Sequence, residues 1–408
     1  MLSEGGTLHP ESVEARLRED PDDPLFNRLD ADDPNAPVLT FEHLKKDLVR
    51  VFLPLPENMD VVDLEGNVVT PPDRAIFVWR GVPGVDNLAQ TGPYQMDGRE
   101  ATLPQQAQSA ITSHSEGGQA AAFQLDLLAE FQRGLFSSAR ARFASGLVDL
   151  GVPEASVPNP EELFLRSPEE RAGREVYLAA CQGCHGGPST DRIEQRALAD
   201  ALFPALTPEG NVRFEAEPGK PPVPVTLKRP GVNFINVGFG ALSYVGQLGL
   251  APTFTSSVEL PRYRFRFYKD GSRQEVVVDL PPKPITLSGA PFDPRPALDD
   301  RGAPIVGPDL IPQAFTTDPG RAVITGDPAD FEALDVPQLR GIARTAPYFH
   351  DNSRETLEEV VDEYSRFVLP LLGPLLQLPI QLPEQPGGRP ESLTPRQKQD
   401  LLAFLRRL

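Results

Sequence analysis

Cysteine is nearly absent from this chain, with two in 408 residues, so a scaffold stapled by several disulfides is excluded. Aromatic residues are few at 7%, and Trp79 is the single tryptophan. Basic residues are the minority: 39 Lys and Arg against 58 Asp and Glu give a formal charge of −19. Such a balance argues against nucleic acid or anionic lipid as a partner and suits a basic or weakly charged protein. Long apolar runs are missing too. The most apolar stretch, Phe367 to Leu382, is interrupted by Pro370, Gly373, Pro374 and Pro379, so no continuous spanning helix is expected. Met1 to Gly6 shows neither the basic region nor the apolar core of a secretory leader. Proline and glycine, by contrast, are plentiful at 46 and 33, which predicts long ordered loops between helices. At about 150 residues per domain the length suggests two or three domains.

The two cysteines stand together in Cys181-Gln182-Gly183-Cys184-His185. Two thiols one helical turn apart can each add to a vinyl group of haem, and the histidine that follows can turn its imidazole onto the iron. A redox dithiol or a simple disulfide shares the Cys-x-x-Cys spacing, but neither uses the histidine, and the flanks lack a βαβ pattern. A zinc site would need a second pair of ligands at matching spacing, and there is none. The motif therefore points to one covalent haem c, anchored by Cys181 and Cys184, with His185 as proximal ligand.

Around the motif the chain reads as mainly helical. Residues 1 to about 35 are acidic and turn-rich, and a short helix is expected over 41–50. Residues 74–90 look extended and then turn. Helices follow over 102–112 and 119–145, the second with Phe123, Leu127, Phe131 and Leu135 every four residues. Gly151 to Pro160 holds three prolines and marks a boundary between domains expected at 1–150 and 151–408. Ser167-Pro168-Glu169-Glu170 carries the signature of a capped helix start, and that helix runs into Cys181. An irregular insert over about 206–330 holds one hairpin. In it Tyr263, Phe265 and Phe267 alternate with Arg264 and Arg266, Asp270-Gly271 turns, and Val276 to Val278 return. The hairpin reads either as decoration that shields a core or as a lid or docking surface. Thr394-Pro395-Arg396-Gln397 opens a closing helix whose buried stripe is Leu401, Leu405 and Leu408.

An internal repeat lies across the chain. Val82 to Asp97, continuing to Thr102-Leu103, matches Val336 to Asp351, continuing to Thr356-Leu357, at an offset of 254 residues without a gap. Val, Pro, Ala, Thr, Pro, Tyr, Asp, Thr and Leu coincide. A duplicated domain is the simplest cause, each copy a loop packed under a cofactor and followed by a threonine-capped helix.

Thr345-Ala346-Pro347-Tyr348-Phe349-His350-Asp351, with Thr356-Leu357-Glu358-Glu359 and Cys181-x-x-Cys184-His185, resembles the bacterial di-haem cytochrome c peroxidases and their relatives of the MauG type, which oxidise a protein partner. The resemblance covers about 165–205 and 315–408 well and about 75–145 more weakly. It implies a mainly α fold of two cytochrome-c-like domains, with long irregular loops and a β-hairpin insert. His185 matches the proximal ligand. Tyr364 falls where the family places the distal ligand, a tyrosine in the MauG type; read from spacing alone, it is equally a core aromatic on the face of Leu357, Val360 and Val361. The family binds calcium through carbonyls that match Thr345 and Pro347, whereas its asparagine ligand falls at Gly81 here. Glu116 matches the family's acid near the peroxide-binding haem, where a carboxylate can move a proton between peroxide oxygens, and His114 stands close enough in sequence for the same task. An exposed charge in a serine-rich loop is the plainer reading of Glu116. Arg321 and Arg340 are the candidates for pairing with haem propionates. Met96, where His350 stands in the repeat, reads as a packing residue, and His9 and His43 as surface residues.

The first haem motif of the family has no counterpart ahead of Cys181. Either the sequence begins at an internal methionine, after a leader and a first motif, or this is a single-haem relative. The resemblance implies a periplasmic c-type haem enzyme that takes electrons from a small donor protein and passes them to hydrogen peroxide or oxygen, or uses these to oxidise a substrate. A homodimer is an expected assembly, and an electron-carrying cytochrome c without peroxide turnover is the alternative function.

Overall fold

The computed structural model describes residues 10–114, 117–153, 156–157, 164–187, 189–191, 193, 212–215, 223–226, 234–235, 258–281, 315–369 and 392–408. In chain order these give α1 (Pro10–Glu19), β1 (Leu48–Pro54), β2 (Met59–Val61), β3 (Ala75–Gly81), α2 (Leu103–His114), α3 (Ala122–Arg133), α4 (Ala139–Asp149) and α5 (Pro168–Ala180). There follow β4 (Val212–Glu215), β5 (Val223–Thr226), β6 (Phe234–Ile235), β7 (Phe265–Tyr268), β8 (Val276–Leu280), α6 (Ala322–Thr325), β9 (Leu334–Asp335), α7 (Leu357–Glu363) and α8 (Pro395–Leu405). The protein is thus mainly helical with a β insert. None of the helices among the described residues is long and apolar enough to cross a membrane. The most apolar run lies largely outside them.

The chain forms two compact units. One holds residues 1–49, 81–199 and 335–408; the other holds 50–80 and 200–334. The expected insert thus falls in the second unit, where residues 50–80 join it. There β2, β7 and β8 make one antiparallel sheet, with Met59 opposite Phe267 and Val61 opposite Phe265. Phe265 and Phe267 are fully buried, as the alternation predicts, whereas Val276 and Val277 of the return strand are exposed. Arg80 and Asp318 form a buried two-bonded pair at 2.7 and 2.9 Å. The short helix expected over 41–50 is not formed. A single 3-10 turn, Leu44–Lys46, ends at Asp47 in the left-handed region, and β1 begins at the next residue. Val49 and Val51, branched at Cβ, suit that strand better than a helix.

The first unit carries the repeat, and the two copies share backbone as well as sequence. In each, a left-handed residue (Asn87 or Gly341) opens a 3-10 turn, Leu88–Gln90 or Ile342–Arg344. The tyrosine six residues after that turn's first residue donates its hydroxyl to that residue's carbonyl: Tyr94 to Leu88 at 3.1 Å, Tyr348 to Ile342 at 2.9 Å. The same tyrosines make bridges with Glu100 and Arg354. The copies also lean on one another reciprocally. The Gly81 N–H donates to the His350 carbonyl at 2.7 Å, and Asp335, 254 residues on, donates to the carbonyl of Met96, 254 residues before His350, at 2.8 Å. Asn87 and Gln338 close the contact, amide to amide, at 3.0 Å.

The helices after the two loops start as expected. Thr356 caps α7 in a full box with Glu359, and Thr102 accepts from Gln105 N–H at the start of α2. The long helix expected over 119–145 is two helices, α3 and α4, parted where Gly134 ends one and Ser138 caps the other. α5 opens with the Ser167–Glu170 box, and α8 with the Thr394–Gln397 box. α8 packs along α5, burying Leu401, Leu405 and Leu408 together with Tyr177, Leu357 and Val361. Gly173 makes this contact possible, since a Cβ there would strike the Asp400 carbonyl and stand 2.9 Å from the Phe404 Cβ.

Candidate functional site: the dithiol turn

α5 ends on the motif. The Cys181 N–H still donates to the Tyr177 carbonyl at 2.8 Å, and Cys184 and His185 both donate to the Cys181 carbonyl, at 3.1 and 2.8 Å. The helix thus tightens into one closing turn that holds the two thiols and the imidazole in a single short arc. No disulfide joins the cysteines. Burial, and then the neighbouring Cys184, pushes the Cys181 thiol up to about 12, and burial raises Cys184 as well, so both sulfurs are protonated at neutral pH.

His185 is buried and held from two sides. Its Nδ1 lies 3.1 Å from the Pro337 carbonyl and 3.3 Å from the Thr190 carbonyl. Carbonyls only accept, so Nδ1 carries the proton and Nε2 keeps its lone pair. Burial pushes the imidazole down to about 4, outweighing the opposing pull of the two carbonyls, so the ring is neutral. Thr190 is placed in turn by its Oγ1, which accepts from Leu339 N–H at 2.8 Å. The Tyr177 hydroxyl donates to the His185 carbonyl from within the α5–α8 core. The repeat loop therefore supplies the second support of the ring, through Pro337 and Leu339.

A neutral imidazole fixed through Nδ1, beside two unpaired thiols spaced by one turn, fits a covalently held haem: the free Nε2 is the nitrogen that would meet iron, and the carbonyl partner is the outer support such a ligand needs. Tyr364 lies on the face expected for it, half-buried, in a π-turn over Tyr364–Val368 that continues α7, with its ring stacked on Phe349 at 6.4 Å. Burial, and then the neighbouring Cys184 and Cys181, raises its phenol well above the usual range. The structure therefore brings Cys181, Cys184, His185 and Tyr364 into one neighbourhood.

No protein-family model matches the chain. A stretch of it is similar to cytochrome c peroxidases. Over 97 residues, 22% of this chain, it is 35% identical to the cytochrome-c peroxidase IdrP2 of Denitromonas iodatirespirans, covering 21% of that protein. Over 50 residues, 12% of this chain, it is 46% identical to the cytochrome c551 peroxidase of Nitrosomonas europaea, covering 15% of that protein. The matched stretches span about a fifth or less of these curated relatives. Among solved structures, a MauG-like protein associated with microbial copper homeostasis aligns over 86% of this chain and 76% of its own, at 18% identity and a TM-score of 0.37.

The remaining candidates lie on several elements. Arg340 is buried, directly after Leu339. Arg321 belongs to the second unit, where its guanidinium lies 4.3 Å from the centre of the Phe234 ring. His114 ends α2, with its ring 3.4 Å from the buried carboxylate of Asp30. Glu116 and His9 lie outside the described residues. His43 is no surface residue: its Nδ1 is 2.6 Å from Asp32 and the ring is mostly covered.

Of the positions the resemblance implies for calcium, the one where the family has an asparagine is Gly81. Gly81 offers no side-chain oxygen, and the carboxamide of Asn352 occupies the place a Gly81 side chain would fill. That carboxamide donates to the Lys46 and Asp47 carbonyls, both at 3.0 Å. Around the other two expected ligands, Thr345 turns its hydroxyl to the Ile342 carbonyl at 3.1 Å. No cluster of three or more His, Cys, Asp or Glu side chains suited to a metal occurs among the described residues.

Sequence reasoning missed the parts that hold His185 rather than the parts that would touch a cofactor. Tyr177, Thr190 and Pro337 were not singled out. Pro337 was nonetheless visible as one of the coincident positions of the repeat, and Tyr177 as the aromatic two turns ahead of His185 on a capped helix.

Proposed function

We propose that this chain holds one haem c at Cys181, Cys184 and His185, in two cytochrome-c-like domains of which the second bears the haem, and that it is a periplasmic redox protein of the cytochrome c peroxidase or MauG type. The observation that carries this reading is the Nδ1–Pro337 hydrogen bond, which presents a neutral imidazole with Nε2 free beside two unpaired thiols. When bound, the haem supplies an iron centre able to pass electrons to hydrogen peroxide or oxygen, or to oxidise a substrate.

The chain's own residues do the positioning. α5 fixes the spacing of the thiols, the Pro337 and Thr190 carbonyls hold the Nδ1 proton, and Tyr177 holds the His185 backbone. Tyr364 would be the second side chain to meet the iron, its phenol kept protonated by burial in the absence of a cation. Arg340 is proposed as the propionate partner. A small electron-donor protein with a weakly charged or basic face would complement the acidic chain.

The test is a pyridine haemochrome assay on the full chain, made in a host that matures c-type cytochromes. One covalent haem per chain is expected in the wild type, and none in Cys181→Ala/Cys184→Ala. A colourless wild type with both thiols titratable would overturn the reading. Peroxide added to the reduced protein should reoxidise it; an unchanged spectrum would leave the electron carrier as the function.

A further inference from the structure

α2 and α7 begin at corresponding residues of the repeat, Leu103 and Leu357, but only one of them stays regular. α2 runs as an α-helix for 12 residues, to His114. α7 keeps that form for 7, to Glu363, and then widens into the π-turn Tyr364–Val368. The change falls on Tyr364 itself. The Leu369 N–H donates to the Tyr364 carbonyl, five residues back, where an α-helix would use Ser365. Single π-turns of this kind are rare in helices and collect at functional sites.

The residues on either side of Tyr364 hold this turn. Before it, Glu363 is buried and accepts from Arg354, from Nη2 at 2.8 Å and from Nε at 3.2 Å. Arg354 is fixed in turn within the repeat loop, where it exchanges two backbone hydrogen bonds with Tyr348, at 2.7 and 3.4 Å. After it, the Ser365 carbonyl that the π-turn releases is taken by the Ser392 N–H at 2.9 Å. The Ser365 hydroxyl, fully buried, accepts from the Leu393 N–H at 3.1 Å. The Tyr364 ring itself lies on Phe349 of the same repeat loop. Tyr364 is therefore held through both of its neighbours and through its ring, by the repeat loop on one side and the approach to α8 on the other.

The first copy of the repeat has none of these parts. At the offset of 254, Phe349, Arg354, Glu363, Tyr364 and Ser365 become Gln95, Glu100, Ser109, Ala110 and Ile111. Ser109 cannot form an ion pair with Glu100, and Ile111 has no hydroxyl. The clamp and the tyrosine thus occur together in one copy and are missing together from the other. A buried ion pair adds little stability over apolar side chains of like size, so its use lies in the placement it enforces.

We propose that Arg354, Glu363 and Ser365 are positioning residues for Tyr364: they hold the π-turn, and the π-turn keeps the phenol in place beside the dithiol turn for a haem bound there. This rests on the reading that Cys181 and Cys184 anchor haem c.

The test uses the full chain matured with haem, as wild type, Tyr364→Phe, Ser365→Ala, Glu363→Gln and the paired replacement Arg354→Met/Glu363→Leu. Losing one partner of a buried pair can unfold a protein, whereas replacing both with apolar side chains leaves it folded. Haem content is read on every sample by pyridine haemochrome. Hydrogen–deuterium exchange over residues 364–369 reports the turn, and ferric electron paramagnetic resonance reports the iron. Tyr364→Phe should alter the ferric signal at unchanged haem content. In the other three variants the Leu369 amide should exchange at least about tenfold faster, and part of the population should show the Tyr364→Phe signal. Asp32→Asn, a buried substitution elsewhere in the same unit, should do neither. Unchanged exchange in the three variants, or faster exchange with a wild-type ferric signal, overturns the proposal. So does a Tyr364→Phe signal identical to that of the wild type. These failures leave one haem per chain, whereas a colourless wild type overturns the haem reading and this proposal with it, so the two are told apart.

Discussion

At the scale of single residues, the site depends on groups that touch the imidazole from behind. Tyr177 donates its buried hydroxyl to the His185 carbonyl, so Tyr177→Phe leaves that carbonyl without its partner. A loss of about 1 kcal/mol in unfolding free energy is expected, read from urea denaturation. The Asp32–His43 pair gives a prediction in pH. Burial alone would raise the Asp32 carboxyl, but donation by the Glu42 and His43 N–H groups and by the His43 ring prevails and holds it down to about 2. Its folded pKa lies below the unfolded value of about 3.9, so its stabilisation is complete above that value and fades as pH falls through about 2. The stability gap between wild type and Asp32→Asn should therefore be widest near neutrality and close below pH 3. A gap independent of pH between 2 and 7 would show that the carboxylate's charge does not matter.

Among elements, two glycines in helices should respond in opposite directions. At Gly173 in α5 a Cβ would strike the Asp400 carbonyl, so Gly173→Ala must push α8 away from α5, at a cost of roughly 2 kcal/mol. At Gly146 in α4 a Cβ would meet nothing within 4 Å, so Gly146→Ala should stabilise by up to about 1 kcal/mol through helix propensity alone. Thermal unfolding of the two variants side by side tests both. The caps on α5, α7 and α8 were legible in the sequence because a capping box is a local pattern with a local cause. So was the hairpin, whose alternation is also local. The break between α3 and α4 was not, since the four-residue spacing of Phe123, Leu127, Phe131 and Leu135 runs straight through Gly134. That spacing signals a helical face but cannot tell whether anything covers it. Nor could 41–50 be assigned correctly, because one left-handed aspartate, Asp47, redirects the chain into a strand. The dithiol turn was plain from spacing; the carbonyls that hold His185 belong to residues 5 and 152 positions away, and only folding brings them there.

For the whole molecule, a net charge of −19 bears on the proposed encounter with an electron donor. If the donor is basic, its rate of electron delivery should fall as salt is raised from about 0.01 to 0.3 M, because screening shortens the reach of the field. Stopped-flow reduction at several ionic strengths measures this, and a flat profile would point to a donor without a charged face.

The paired bonds between Gly81 and His350, and between Asp335 and Met96, make each half of this chain the other's missing neighbour. A polypeptide cut in the segment after Asp149 would leave two fragments, each with one orphaned amide and one orphaned carbonyl at its copy of the repeat loop. Neither should be soluble when made alone. Made together, they should recover one another and refold as a non-covalent pair, read from co-purification of the untagged fragment with the tagged one.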